Sequence, residues 1–173
     1  MRRLISNQRG MTLAEVLVAL PIITIGLLAL LSAIPLSTYA TQEGSQTSTA
    51  TFLANQRLEQ VRNARWMATC PATVDNLGVS ASSTAAPTDG AAVTTFADEN
   101  VMAAPYAAYS RQVRITDSVA STTVCNVATG AITGTYGLRT VTVTVTYRPL
   151  SATGTSAVSG SRSVAVNMQI AQR

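Results

Sequence analysis

The sequence contains no histidine and no lysine, and all twelve of its basic residues are arginine. A serine–histidine triad, a histidine-ligated zinc, a Schiff-base lysine and a phosphate-loop lysine are therefore excluded. Charge is scarce at 12% of 173 residues, and aromatics make up 5%; a typical globular chain is about one-quarter charged. Cysteine occurs only at Cys70 and Cys125, with no Cys-x-x-Cys pair, which argues against redox catalysis. The remainder is rich in Ala, Val, Thr and Ser, a composition suited to a β-rich surface rather than a catalytic cleft. No cofactor and no metal are expected.

The net charge of +4 is unevenly placed. Arg2, Arg3 and Arg9 lie in the first ten residues, leaving nine arginines against eight acids in the rest. The basic balance thus describes the N-terminus and not a face for nucleic acid. The densest later pair, Arg111 and Arg114, has opposite parity on a strand and faces opposite sides. No nucleic-acid partner is expected. Among the acids, Asp98 and Glu99 are adjacent and would point apart, while Asp75, Asp89 and Asp117 lie in loop-like sequence. Solvated carboxylates are the expectation there, with a calcium loop as the alternative.

One hydrophobic run stands out. Val16 to Leu36 reads VLVALPIITIGLLALLSAIPL without a charge. As a helix it would cover roughly 31 Å at 1.5 Å per residue, the thickness of a bilayer's hydrocarbon core. It is apolar on every face, unlike the helices of a soluble core. Basic residues precede it and the next arginine is Arg57, so the N-terminus is expected on the cytoplasmic side with the rest translocated. A signal peptide cut after Ala40 fits poorly, because such apolar regions usually run about 7–15 residues. A permanent single-pass anchor and a processed anchor remain.

The segment Gly10-Met11-Thr12-Leu13-Ala14-Glu15 bears on that choice. Glu15 is a carboxylate at the edge of the apolar run, where an unpaired charge costs several kcal/mol, about 3 on insertion scales, unless it sits at the interface or finds a partner. The segment, after a short basic leader and before the apolar helix, resembles the class III signal of the type IV pilin and pseudopilin superfamily. The resemblance covers roughly the first 36 residues. It implies that a prepilin peptidase cuts between Gly10 and Met11 and methylates the new amine. It also implies assembly with other pilin or pseudopilin subunits in the bacterial inner membrane, into a periplasmic or cell-surface filament. Met11 stands where Phe is commoner. Glu15 would then meet the N-terminal amine of a neighbouring subunit shifted by about a turn, which neutralises both charges and sets register. The run from Glu15 to Leu20 with Ile25-Gly26-Leu27-Leu28 looks most like minor pilins of the pilus modification type or I-type minor pseudopilins. Pro21 and Pro35 depart from that family's single proline, and each removes a helical hydrogen bond.

Past the span, Gly44 within polar Thr38–Ser48 suggests a bend or break. Ala50, Ala54, Leu58 and Val61 then recur at helical spacing up to Trp66, with their stripe on a core; Trp66 reads as the edge of that core. Residues 71–105 read as a long exposed loop, with 78–90 nearly low in complexity. Three alternating runs follow: Tyr109–Ile115, Thr140–Tyr147 and Val164–Ile170, the last two as an antiparallel hairpin across Pro149–Ser161. The fold class is α+β, a long N-terminal helix on a small antiparallel sheet. The divisions expected are a leader (1–10), a transmembrane and assembly helix (11–37), its second half (38–66) and a β-rich head (67–173). A translocated head meets an oxidising compartment, where a Cys70–Cys125 disulfide is the economical reading; free thiols or bridges to other subunits are the alternatives. Such a bridge would close a loop of about 56 residues, worth ~4 kcal/mol of chain entropy. The function implied is a structural, minor filament subunit and not an enzyme. The rival is an unprocessed, membrane-anchored binding domain.

Overall fold

The computed structural model describes residues 12–149 and 160–173. Gly10, Met11, the leader arginines and most of the Pro149–Ser161 connection lie outside the described residues.

The chain begins with one 50-residue helix, α1 (Leu13–Arg62), about 75 Å long at helical rise. Thr12 caps it: its backbone is extended and its Oγ1 accepts from the Glu15 N–H at 3.3 Å, satisfying a donor that a helix start otherwise leaves open. Pro21 and Pro35 both lie inside the helix, so the carbonyls of Leu17 and Leu31 lack their usual N–H partner. The bend or break expected near Gly44 is absent, because α1 runs through it. A helical glycine costs only about 1 kcal/mol relative to alanine, and this stretch is tied to the head on both sides of Gly44. Glu43 pairs with Arg162 at 2.7 Å, and Thr47 Oγ1 hydrogen-bonds the Tyr147 hydroxyl at 2.8 Å. The helix ends at Arg62, capped at Asn63, so Trp66 falls outside it.

Nine strands follow among the described residues: β1 (Trp66–Met67), β2 (Val74–Asp75), β3 (Val79–Ser80), β4 (Pro87–Thr88), β5 (Tyr109–Val119), β6 (Val124–Asn126), β7 (Ala131–Thr133), β8 (Leu138–Tyr147) and β9 (Arg162–Ala171). The main sheet is antiparallel with order β5-β8-β9. The three alternating runs read from sequence are its three strands. Val143 lies opposite Val113 on one side and Val166 on the other, so all three strands present valine to the same face. That face receives the second half of α1. Ala50, Leu53, Ala54 and Val61 are buried against Val141, Val143, Val145, Val113 and Ile115, with Val164, Val166, Met168 and Ile170 half-buried beside them. The two alanines let the helix backbone approach the sheet closely. The architecture is α+β and pilin-like: one long helix packed on small antiparallel sheets.

The region 71–105 is not the loose loop its composition suggests. β1 pairs with β2 and β3 with β4, and isolated bridges join Thr88 to Thr94 and Glu99 to Arg111. Leu77, Phe96 and Met102 reach into the core, and Pro87 is fully buried. These few apolar side chains are spread among small polar residues with no period, which is why no pattern exposed them. The excursion also covers the outer edge of β5: Ser80 Oγ accepts from the Ile115 N–H, and Met102 N donates to the Tyr109 carbonyl. An edge strand protected this way is closed to further pairing.

Candidate assembly site

The N-terminal half of α1 is apolar and unburied. Leu13, Leu17, Leu20, Ile22, Ile23, Ile25, Leu27, Leu28, Leu30, Leu31 and Ile34 are all more than half exposed. The helix holds a stretch long and apolar enough to cross a bilayer, and none of that stretch is buried inside the fold. So large an apolar surface demands cover from lipid or from other helices. Its polar side chains are internally satisfied, as hydrocarbon requires: Thr24 donates to the Leu20 carbonyl at 2.7 Å and Ser32 to the Ala29 carbonyl at 2.8 Å.

Glu15 sits at the head of this surface, exposed in the first turn, three residues beyond the Thr12 cap. Its carboxylate is well placed there, because the amide dipoles of a helix start favour negative charge. No arginine among the described residues pairs with it. Gly10 and Met11, expected to flank the processing bond, lie outside the described residues.

The head, by contrast, spends its charges internally. Asp98 and Glu99 do point apart, each to an arginine of β5. Arg114 makes a two-pronged contact with Asp98 at 2.7 and 2.8 Å. Arg111 holds both oxygens of Glu99 at 3.0 and 2.8 Å and donates to the Leu53 carbonyl of α1 at 3.1 Å. Arg57 reaches the same Glu99 at 3.4 Å and lies over the Phe96 ring. The hydrogen bond from Arg114 holds Asp98 below the usual carboxylate range against a smaller opposing effect of burial.

Arg139 is the second node. It is 7% exposed, contacts Asp75 and Asp117 at 2.8 Å each, and its guanidinium stacks 4.1 Å from the centroid of the Trp66 ring. Burial alone would raise the Asp75 pKa, but Arg139 together with the N–H groups of Gly78 and Leu77 outweighs it and draws that pKa down. The expectation of solvated acids is thus corrected for Asp75, Asp98 and Glu99, which are fixed in ion pairs; Asp117 pairs with Arg139 but stays exposed. Asp89 instead accepts from the backbone N–H groups of Ala91 and Val93, both at 2.9 Å. Sequence reading missed Arg57 and Arg139; the one available signal was the odd polar residue Arg139 at a core-facing parity of β8. Among the described residues, no three of His, Cys, Asp or Glu come close enough together to hold a metal ion.

Cys70, after the helix, and Cys125, in β6, are joined by a disulfide with Cα atoms 5.3 Å apart. It fastens the β6–β7 ribbon to the segment between β1 and β2. The opposite end of the chain closes nearby: the Arg173 N–H donates to the Trp66 carbonyl, and the Arg173 carbonyl oxygen accepts from the Ala68 N–H. Trp66 is buried at the centre of this end, in the core and under Arg139. The arrangement offers a head whose acids, Asp89 apart, are held in ion pairs, on a helix whose first half is uncovered.

No curated protein and no solved structure matches the chain. The family model of the prokaryotic N-terminal methylation motif matches residues 5–31, the segment that bears Gly10, Met11, Glu15 and the start of the apolar helix, and this supports a type IV pilin-like prepilin segment there.

Proposed function

We propose that this chain is a structural, minor subunit of a type IV pilus or a type II secretion pseudopilus. Residues 1–10 are a leader, removed by prepilin peptidase after Gly10, and Met11 becomes the methylated N-terminus. Residues 11–37 cross the inner membrane with the N-terminus cytoplasmic, and 67–173 form a head in the periplasm or outside the cell. The observation that carries this reading is the uncovered apolar half of α1 with Glu15, which pairs with no arginine among the described residues, in its first turn, within the stretch that the methylation motif matches.

The physical course follows from those residues. In the membrane the apolar half-helix is covered by lipid, and Glu15 rests at the cytoplasmic interface. On assembly the same side chains pack against neighbouring helices, and Glu15 leaves water. A carboxylate entering that environment requires a cation. The amine freed at Met11 of an adjacent subunit supplies one and fixes the axial step. The head pairs four of its five acids with arginines, so it is carried rather than consumed in assembly. Every role here is mechanical, and no catalytic step is assigned to the chain.

N-terminal sequencing with intact mass on protein from its native membrane tests the proposal. The expected product begins at N-methylated Met11, ten residues shorter than the precursor. Gly10→Ala should leave the precursor uncut, and Glu15→Ala should leave processing intact while reducing incorporation into filaments. A chain that begins at Met1 in its native membrane would instead establish the unprocessed anchor.

A further inference from the structure

The head ends, on the side nearer the membrane-spanning half of α1, in a concave surface of about 560 Å³. Tyr109 from the start of β5, Tyr147 and Arg148 from the end of β8, and Val101 line it. Tyr106, Tyr109 and Tyr147 form a run of ring contacts, with centroids 6.4 and 5.7 Å apart. Val101 is 72% exposed. Arg148 is exposed and makes no ion pair. All eight acids of the chain are among the described residues, and none of them pairs with it; the nearby Glu43 is taken by Arg162.

Tyr147 is hydrogen-bonded to Thr47 and Arg162 is paired to Glu43, so the rim lies level with helix residues 43–47. If the hydrocarbon ends near Leu36, these levels stand roughly 10–16 Å above it at 1.5 Å per residue. The headgroup layer fills about the first 5–8 Å. Arg148 is one strand step beyond Tyr147, about 3 Å further on, and an arginine stem extends readily toward charged headgroups. The remaining gap is within a Debye length of about 8–10 Å. An uncompensated cation and an exposed valine facing a bilayer, beside the half-buried rings of Tyr106 and Tyr109 that rest on the buried Tyr147, suit a membrane interface, where aromatic and basic side chains are favoured.

We infer that this basal surface binds anionic phospholipid headgroups, with Arg148 on the lipid phosphate, and holds the head against the membrane before assembly. The inference rests on α1 spanning the bilayer. A docked head keeps the helix at one depth and tilt, and it must lift from the membrane when the subunit enters a filament.

Hydrogen exchange of the full chain, one copy per nanodisc, tests it. Exchange at residues 100–110 and 146–149 should slow by about five-fold when one-third of a phosphatidylcholine bilayer is replaced by phosphatidylglycerol, the effect of a single basic residue at an anionic surface. Arg148→Gln and added salt should each remove the slowing. Arg173→Gln, at the far end of the head, should not. Slowing that ignores lipid charge, or that survives Arg148→Gln, overturns the inference. So does protection that arises only with several copies per disc, which would assign the surface to another subunit. Release of the chain from membranes by alkaline carbonate would instead refute the membrane span itself, a result distinguishable from all of these.

Discussion

Arg139→Met is the most informative perturbation of the head. Methionine keeps most of the stem volume and removes the charge. The substitution breaks two charged contacts of 2.8 Å, to Asp75 and Asp117, and the stack on Trp66. Hydrogen bonds to charged groups are worth about 1.5–3 kcal/mol each and a partly desolvated cation–π contact about 1. The two acids do not lose equally. Asp117 retains access to water, with 39% of its side chain exposed, so its share is small. Asp75 keeps two backbone donors, Leu77 and Gly78 at 3.1 and 2.9 Å. The expected net loss is therefore about 2–4 kcal/mol, a large part of the 5–15 kcal/mol that holds an ordinary domain together. Trp66 is the sole tryptophan, so urea unfolding of the full chain followed by its fluorescence reads this site directly. With m-values of about 1–3 kcal/mol/M the midpoint should fall by roughly 1–2 M. Asp75→Asn should cost less in the Arg139→Met background than alone, because the two share one interaction. An unchanged midpoint and unchanged Trp66 emission would refute the claim that this node locks β1, β2 and β5 to β8.

Three further outcomes follow. Asp75 and Asp98 titrate below their ordinary range in the folded head, so the unfolded chain binds protons first on acidification and stability rises with pH across that interval. The stability they contribute is complete above the unfolded carboxylate pKa of about 4 and is lost as pH falls through the folded values; thermal melts from pH 7 to pH 2 check this, and a flat profile would contradict it. Replacing Cys70 and Cys125 together by serine should lower stability by about 4 kcal/mol, since the bridge spans 55 residues, measured by the same urea titration. Gly137→Ala would place a Cβ 2.8 Å from two ring atoms of Trp66; overpacking of this kind costs about 1–3 kcal/mol, and a shifted Trp66 emission should accompany the drop in midpoint.

The sequence by itself was sufficient wherever structure depends on local or periodic information. A chargeless run of 21 residues from Val16 to Leu36 must be a helix in an apolar medium, since only internal bonding satisfies its backbone there. Period-two alternation from Thr140 to Tyr147 demanded a half-buried strand, and parity placed Arg111 and Arg114 on opposite faces. Gly10 through Glu15 are contiguous, so a motif could be read from them directly.

Only the tertiary structure decided how charges separated by tens of residues meet. Arg139 finds Asp75 across 64 positions, and Arg111 finds the Leu53 carbonyl across 58. No local rule selects such partners, because they follow from strand order and from the helix lying on the sheet. The excursion 71–105 was illegible for the same reason. Its short ribbons are held by a few buried side chains and by the edge of β5, contacts that exist only once the sheet has formed. The unbroken passage of α1 through Gly44 belongs here too: the propensity penalty was visible in the chain, but the anchors at Glu43 and Thr47 that outweigh it come from β9 and β8.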